Sequence, residues 1–161
     1  MKREESTLFH SLVTIIDDLL RGRIHFPKKY VGRVLTMEDG QEYTVFRHLM
    51  VDPKKETETK MAVFKVRFKF ANLSPGINKY LSMIPVPFLI ARRGFRQKIW
   101  TMNDNGYFQG IYQWASKEFA KEYPESFIFK VMTKRSATDS LSYEILPDTH
   151  LSEYVKKLNT I

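Results

Sequence analysis

The sequence of 161 residues contains no cysteine, and this absence excludes several kinds of chemistry. Without a thiol the chain forms no disulfide, no thiolate zinc or iron–sulfur site and no cysteine nucleophile. Long apolar runs are also lacking, because the stretch from Tyr80 to Ala91 contains two prolines and is well short of the ~20 residues of a membrane helix. The apolar N-terminal stretch is interrupted by His10, Asp17 and Asp18. These absences favour a soluble, cytoplasmic protein with no membrane partner.

Catalytic and metal-binding motifs are scarce as well. The sequence shows no Ser-His-Asp order, no glycine-rich phosphate loop and no paired carboxylates at a useful spacing, so hydrolase, kinase and dehydrogenase functions are not supported. The four histidines, at positions 10, 25, 48 and 150, have no spacing typical of a metal site. We therefore predict no metal site and no cofactor.

The composition indicates a globular, basic protein with an uneven charge. Hydrophobic residues make up 43% of the chain and aromatic residues 14%, which excludes a disordered chain. Eleven Lys and Arg stand against ten Asp and Glu in residues 1–60, and fifteen against eight in residues 61–161. Nearly all of the net charge of +8 therefore belongs to the second part. The apolar-free segment Asp52 to Lys60 coincides with this change, and it predicts a boundary between residues 1–60, a domain at 61–148 and a tail at 149–161.

The first part has the pattern of one helix followed by a β-hairpin. Ser6 or Thr7 is the predicted N-cap of a helix with one apolar face, which ends at Gly22. Two alternating runs, at 30–37 and 41–51, are joined through Asp39 and Gly40, and an Asp-Gly pair between such runs is typical of a hairpin. A unit this small is expected to pack on the second part or on a partner chain.

The second part has the order strand, helix, strand, strand, helix, strand. The strands are predicted at 61–71, 94–102, 107–115 and 141–146 from alternating apolar and polar residues. One helix is predicted before Pro85 and Pro87, and another begins after Ser116, although Pro124 must break or restart it. A C-terminal helical pattern follows at 151–158. This order predicts an α+β fold with the βαββαβ arrangement of ferredoxin-like domains.

Two motifs within residues 61–147 resemble the dimeric α/β-barrel superfamily. The run from Gly94 to Trp100 matches a GF-x-x-K-x-W strand, and Gly110-Ile111-Tyr112 matches a G-x-Y strand. The resemblance is to the antibiotic-biosynthesis-type monooxygenases and their uncharacterised relatives. It implies a homodimer in which two sheets face each other as a dimeric α/β barrel, with a ligand cavity between each sheet and its helices. The helix and β-hairpin of residues 1–60 are an extension that this superfamily does not require.

This resemblance implies a small-molecule-binding protein and, as its enzymatic form, a cofactor-independent monooxygenase acting on an aromatic or polyketide-like anionic substrate. The superfamily also has non-catalytic members, so a ligand-binding or structural dimer is the alternative. Its heme-degrading branch uses a histidine ligand from the second helix, and residues 61–147 contain no histidine. The sequence therefore argues against a heme site of that kind.

The predicted site consists of basic and aromatic residues on the core strands. Arg67, Trp100 and Tyr112 are the catalytic candidates, because an apolar pocket with one donor or base and one positive group suffices for a cofactor-free oxygenase. The ligand-binding candidates are Lys65, Lys69, Lys98, Trp114 and Tyr143. Convergence of these cations would suit an anionic ligand, whereas the alternatives are a solvated face, pairing with an acid such as Glu144, or packing of the aromatic residues in a core or dimer interface.

Basic and aromatic strands also suggest the hypothesis of nucleic-acid binding, because a four-stranded ferredoxin-like sheet is the platform of RNA-recognition domains. The third core strand, Tyr107 to Trp114, does not match the aromatic signature of those domains. Nucleic acid is therefore not among the predicted partners.

Overall fold

One antiparallel sheet of seven strands runs through the part of the chain that the computed structural model describes, residues 2–55, 60–72 and 74–158. The strands pair in the order β1-β3-β5-β6-β4-β7, and β2 also pairs with β3. Their bounds are β1 Ile24–His25, β2 Val34–Thr36, β3 Glu42–Val51, β4 Ala62–Phe68, β5 Phe95–Met102, β6 Phe108–Trp114 and β7 Ser142–Leu146. Alternation of apolar and polar residues along these segments produces the strands, since one face of the pleat is then buried.

The helices of the described chain are α1 Lys2–Leu20, α2 Pro75–Leu81, α3 Val86–Ile90, α4 Lys117–Glu122, α5 Phe127–Arg135 and α6 Leu151–Leu158, with a 3₁₀ turn at Tyr123–Glu125. Serine caps begin three of them: the side chains of Ser74, Ser116 and Ser126 each accept a hydrogen bond from the backbone N–H three residues on. These caps satisfy N–H groups that the first helical turn leaves without partners.

The ferredoxin-like arrangement predicted from the sequence is confirmed. Within the order β5-β6-β4-β7, the chain runs from β4 through α2 and α3 to β5, forms the hairpin β5–β6, and returns through α4 and α5 to β7. All of these strand pairs are antiparallel. The two central strands are therefore β4 and β6, which are the first and the third strands of the βαββαβ unit, as the split βαβ topology requires.

Two helix boundaries differ from the prediction, whereas the break and restart predicted at Pro124 are found. The first helix begins at Lys2, before the expected cap at Ser6 or Thr7, because the preceding Lys, Arg and Glu residues are good helix formers. Pro85 and Pro87 do not simply end a helix, since α3 starts between them and accommodates Pro87 in its first turn. Pro124 lies in the 3₁₀ turn, and Ser126 caps the restarted helix α5.

The N-terminal hairpin extends the core sheet rather than lying apart from it. The long strand β3 pairs with β2 around the turn at Gly40, as predicted, and its other edge pairs with β5. The short strand β1 pairs with the C-terminal end of β3. Residues 1–60 and 61–148 thus share one sheet. The predicted linker from Asp52 to Lys60 includes residues 56–59, which lie outside the described residues.

The sheet has a core on each face. On the first, called here the helix face, Phe64, Trp100 and Tyr112 pack against the helices α3, α4 and α5. On the second, called here the hairpin face, Val63, Ile99 and Ile111 are fully buried beneath residues of the N-terminal hairpin and of α6: Leu35, Met37, Tyr43, Leu151, Tyr154, Val155 and Leu158. In a barrel of two facing sheets, the sheet of the partner chain covers this face. The hairpin face would then have to be free of other elements of its own chain. Here the chain's own hairpin and C-terminal helix cover it.

Helix α1 carries its apolar residues on the outside. Asp18 is buried and accepts a hydrogen bond from Arg23, so the inner side of the helix is partly polar. The outward stripe consists of six apolar side chains, between 48% and 83% exposed: Phe9, Leu12, Val13, Ile16, Leu19 and Leu20. A stripe of this kind, at helical spacing, is typical of a helix that packs against another apolar surface. No helix among the described residues has the length and apolar character needed to cross a membrane.

Candidate functional site

A cavity of about 120 Å³ lies between the helix face of the sheet and the helices above it. Its floor is formed by the strands β4, β5 and β6, and its roof by the α2–α3 corner and helix α5. The lining is almost entirely apolar, and no Asp or Glu of the described residues belongs to it. Its positively charged members are Lys98 on the floor and Arg135 at the end of α5. This is the arrangement expected of a site for a small apolar molecule with a negative or polar group.

The residues that carry the sequence resemblance are also residues of this cavity. Lys98 and Trp100 of the first motif and Gly110 and Tyr112 of the second all line it. They share a face because residues two apart on a strand point the same way, and β5 and β6 pair so that Lys98 lies opposite Tyr112 and Trp100 opposite Gly110. The two motifs therefore describe one wall of the cavity.

Lys98 is the least expected residue in this wall. Its side chain is 8% exposed, and its Nζ lies 4.2 Å from the centre of the Trp100 ring and 4.4 Å from that of Tyr112. Among the described residues no carboxylate or hydrogen-bond acceptor is in range of Nζ. Burial, followed by the positive charge of Arg47, lowers the pKa of Lys98 well below its usual range. The aromatic faces offset only part of the lost hydration.

Arg47 holds the roof of the cavity to the sheet. Its Nη1 donates a hydrogen bond of 2.6 Å to Ser82 Oγ, and its Nη2 donates one of 3.2 Å to the carbonyl oxygen of Lys79 at the end of α2. Its guanidinium Cζ lies 5.6 Å from the centre of the Trp100 ring. Its positive charge acts on Lys98, and no acid among the described residues neutralises either side chain.

Two tyrosine residues of the cavity lining are joined by a hydrogen bond between their hydroxyl groups. Tyr123 donates a hydrogen bond of 3.2 Å to the hydroxyl oxygen of Tyr112. Burial raises the pKa of Tyr112 well above its usual range and that of Tyr123 to about 12. Both side chains are therefore neutral phenols at physiological pH. With Tyr123 as the donor of this pair, the Tyr112 O–H is able to donate to a bound molecule.

Gly110 makes room for the Tyr112 ring. A methyl group at Gly110 would lie 2.6 Å from Tyr112 Cε2 and 3.2 Å from the Tyr112 hydroxyl oxygen, which is closer than real Cβ contacts. This close approach explains the G-x-Y pattern physically, because the glycine and the tyrosine share one face of β6. Gly94 of the other motif has the same function toward Phe119, and its φ of +81° also favours glycine.

The structure does not bring Arg67 to Trp100 and Tyr112, contrary to the expected grouping. Arg67 points to the hairpin face, where it donates hydrogen bonds to Asp39 and to Gln109 Oε1 and lies over the Tyr43 ring. The reason is strand parity: Arg67 alternates with Val66 and Phe68, which face the helices.

Lys65 shares the hairpin face with Arg67. Its Nζ forms ion pairs with Glu144 at 2.5 Å and Glu38 at 3.2 Å, and it contacts the Tyr154 hydroxyl at 3.1 Å. Burial alone would lower the pKa of Lys65, but hydrogen bonds with Glu144, Tyr154 and Glu38 outweigh it and raise the pKa. Pairing with Glu144, which the sequence left open as an alternative, is therefore found within one chain.

The remaining predicted residues lie outside the cavity. Lys69 is exposed, with Nζ 5.7 Å from the centre of the Tyr107 ring. Trp114 is fully buried in the helix-face core against Phe95, and its indole N–H has no partner among the described residues. Tyr143 stacks on Phe64 and is half exposed at the edge of the sheet.

Sequence reasoning missed Arg47 and Tyr123 as residues of the site. Arg47 lies next to a bulge in β3, so no regular alternation marks its face. Tyr123 belongs to the broken second helix, whose course around Pro124 the pattern did not resolve. No cluster of three His, Asp or Glu side chains that could hold a metal ion occurs among the described residues.

Comparison with known proteins gives structural similarity at low identity. No protein-family model matches the chain, and no curated protein matches it. An uncharacterised ferredoxin-fold protein related to antibiotic-biosynthesis monooxygenases, from Listeria monocytogenes, is 14% identical, with a TM-score of 0.47 over 80% of this chain and 94% of that one. The heme-degrading enzyme of Listeria monocytogenes is 18% identical, with a TM-score of 0.47 over 69% of this chain and 73% of that one.

A candidate monooxygenase from Fusobacterium nucleatum is 9% identical, with a TM-score of 0.46 over 66% of this chain, which spans about half (49%) of the length of that protein. The chain has a ferredoxin-like α+β fold, and the solved structures similar to it include antibiotic-biosynthesis monooxygenase-like proteins of that fold.

Proposed function

We propose that this protein binds a small apolar or aromatic molecule with one negatively charged group in the cavity on the helix face. The observation that carries the proposal is Lys98, a buried cation with no acid in range among the described residues. An unpaired buried charge destabilises a fold, and lysine is almost never buried without a partner. A carboxylate or phenolate on the ligand would supply that partner.

The volume of the cavity limits the size of the ligand. At about 120 Å³ it is slightly smaller than the ~150 Å³ cavity that is known to hold a benzene ring. The largest ligand expected without movement of the cavity walls is therefore a single ring or a short aliphatic chain. Its apolar part would lie against Phe68, Leu89 and Phe108. A fused polyketide ring system or a porphyrin would require the α2–α3 corner to move outward.

The enzymatic form of this proposal is a cofactor-independent monooxygenase. In that reaction a phenolic substrate loses two hydrogens, one from a ring carbon and one from its hydroxyl group, and the ring carbon gains one oxygen atom of O₂ as a quinone carbonyl. The other oxygen atom leaves with the two hydrogens as water. The protein supplies a base to ionise the substrate, a donor for the oxygen and a positive group near the reduced dioxygen. We assign these roles to Lys98 and Tyr112, which lie beside Trp100, whereas Arg67 lies on the other face of the sheet.

Equilibrium binding tests the proposal. Titration of the full chain with benzoate, followed by calorimetry and by quenching of tryptophan fluorescence, is expected to show one site, and benzyl alcohol is expected to bind at least about tenfold more weakly because it carries no charge. Lys98→Met is expected to abolish this preference, and Lys117→Met, at an exposed position of α4, to retain it. Equal affinity for benzoate and benzyl alcohol would refute the proposal that the ligand carries a negatively charged group.

Oxygen consumption separates an enzyme from a binding protein. A panel of monocyclic phenols and hydroquinones is added to the protein in an oxygen electrode, and uptake is compared with that of Lys98→Met and Tyr112→Phe. Uptake that depends on both residues supports the monooxygenase. Tight binding of the phenols without uptake supports the non-catalytic alternative.

The predicted homodimer also remains a proposal, and α1 is the surface that we assign to it. The hairpin face of the sheet is occupied by α6 and by the N-terminal hairpin, so it offers no open surface to a second sheet. The stripe of α1 around Leu12 and Ile16 is open and apolar. Two copies related by a two-fold axis would bury the same stripe on both, as an isologous interface requires.

A further inference from the structure

We propose that Lys98 is an amine nucleophile that forms an imine with the carbonyl carbon of a small aldehyde or ketone held in the cavity. The proposal uses the same cavity as the proposed function and deepens it by naming a reactive ligand class. It does not require the ligand to carry a negative group.

The surroundings of Lys98 lack the features that accompany a structural lysine. Elsewhere on the sheet, Lys65 has two carboxylates within 3.2 Å and a tyrosine hydroxyl at 3.1 Å. Lys98 is more deeply buried, yet its Nζ contacts only the faces of Trp100 and Tyr112 within the described part of the chain. An ion pair therefore does not account for its burial. The side chain instead ends in the cavity wall, where a bound molecule can reach the nitrogen.

The same surroundings favour the unprotonated amine, which is the reactive form. A lysine becomes nucleophilic when it is removed from water in an apolar pocket or placed next to another cation. Both conditions hold here, since the cavity is apolar and the Arg47 guanidinium lies close enough to disfavour a second positive charge. Hydrogen bonds to Ser82 and to the Lys79 carbonyl hold Arg47 in place.

The groups needed for the reaction are present and its atoms balance. The lone pair of Nζ attacks the carbonyl carbon, and the C=O bond opens to a carbinolamine. Loss of the carbinolamine oxygen, with two hydrogens that came from the amine, releases one water and leaves a C=N bond. With Tyr123 as the donor of the tyrosine pair, the Tyr112 O–H can donate a hydrogen bond to the carbonyl oxygen as negative charge develops on it. No oxidant or reductant takes part.

Reductive trapping tests the proposal on the full chain. The protein is incubated with benzaldehyde, a single-ring aldehyde of suitable size, and cyanoborohydride converts the imine to a stable secondary amine. Peptide mass spectrometry then measures the labelling rate at each lysine. We expect Lys98 to be labelled at least about tenfold faster than the exposed Lys117 at pH 7, and its rate to reach a plateau at a lower pH than that of Lys117.

Variants and competition complete the test. Lys98→Arg keeps a cation but has no primary amine, so it is expected to lose the fast label, and Lys117→Met is expected to retain it. Excess benzoate is expected to slow the labelling of Lys98 in the wild-type chain. If benzoate binds and Lys98 is labelled no faster than Lys117, the imine is refuted and the proposed function stands. If benzoate does not bind and no lysine is labelled preferentially, both fail.

Discussion

Lys98 Nζ lies 4.2 Å from the centre of the Trp100 ring on the same face of β5, and no carboxylate among the described residues neutralises it. The relationship follows from strand parity, because residues 98 and 100 must point the same way. The result is a cationic side chain in an aromatic wall.

Removing the Lys98 charge is expected to stabilise the fold. At pH 7, Lys98→Met should raise the free energy of unfolding by about 1–4 kcal/mol, as replacement of buried charged groups often does. The pKa of Lys98 is lowered in the folded state, so between that pKa and the ordinary value of 10.5 the unfolded chain binds one more proton. Wild-type stability therefore rises with pH over this interval, and the advantage of the variant shrinks.

Urea denaturation of both proteins between pH 6 and pH 10 measures this difference. Lys117→Met, at an exposed position, is the matched control and should stay within about 0.5 kcal/mol of the wild type at every pH. A stability gap for Lys98→Met that widened toward alkaline pH would contradict the assignment of Lys98 as an unpaired buried amine.

Benzoate affinity is expected to fall as the pH rises. A bound carboxylate favours the charged form of Lys98, so binding takes up a proton wherever the free protein holds the amine neutral. The dissociation constant should then increase by up to about tenfold per pH unit in that range. Calorimetry in two buffers of different ionisation enthalpy checks the proton uptake directly. Affinity that does not change with pH would mean that Lys98 does not pair with the carboxylate.

Arg67→Met is expected to affect stability without affecting the cavity. Arg67 lies on the hairpin face with Asp39 and Gln109, so benzoate affinity should match that of the wild type. The loss of the partly exposed ion pair should cost no more than about 1 kcal/mol. The Arg67 hydrogen bond lowers the pKa of Asp39, so the stabilisation by this ion pair is present above the unfolded-state pKa of Asp39 and is lost as the pH falls through the folded-state value. Loss of benzoate binding or of oxygen uptake in this variant would contradict the placement of Arg67 outside the site.

Gly110→Ala is expected to displace the Tyr112 ring. The new methyl group would lie 2.6 Å from Tyr112 Cε2, and overpacking of this kind costs about 1–3 kcal/mol. Benzoate affinity should fall with it, because Tyr112 forms part of the cavity. Gly76→Ala is the control, since a methyl group there meets nothing within 4 Å. Equal thermal stability of the two variants would argue against the close approach.

Charges on the outward stripe of α1 are expected to separate the proposed dimer. Light scattering during size exclusion should give twice the chain mass of 19.0 kDa for the wild type and the single-chain mass for Leu12→Glu combined with Ile16→Glu. Leu12→Met is the matched conservative variant and should remain dimeric. A wild-type chain that stays monomeric at high concentration would rule out this interface.

Much of the architecture could be predicted from local patterns. Alternation located β4, β5, β6 and β7 to within a few residues, and the Asp-Gly turn placed the β2–β3 hairpin, because each pattern reports on a neighbouring stretch of chain. The helix around Pro124 was less predictable, since proline both ends one helix and permits another to restart. The pairing of β3 with β5 left no local signal, because any apolar strand can extend a sheet edge.

The sequence by itself determined which residue types share a strand face, and so placed Lys98 with Trp100 and Lys65 with Arg67. Only the tertiary structure decided that these two pairs lie on opposite sides of one sheet, because that depends on how β4 and β5 each align with β6. It also decided that Lys65 has acids within reach, whereas Lys98 has none within the described ranges of the chain. Alternation records whether a residue shares a face with its neighbours, whereas the partners above that face come from distant parts of the chain.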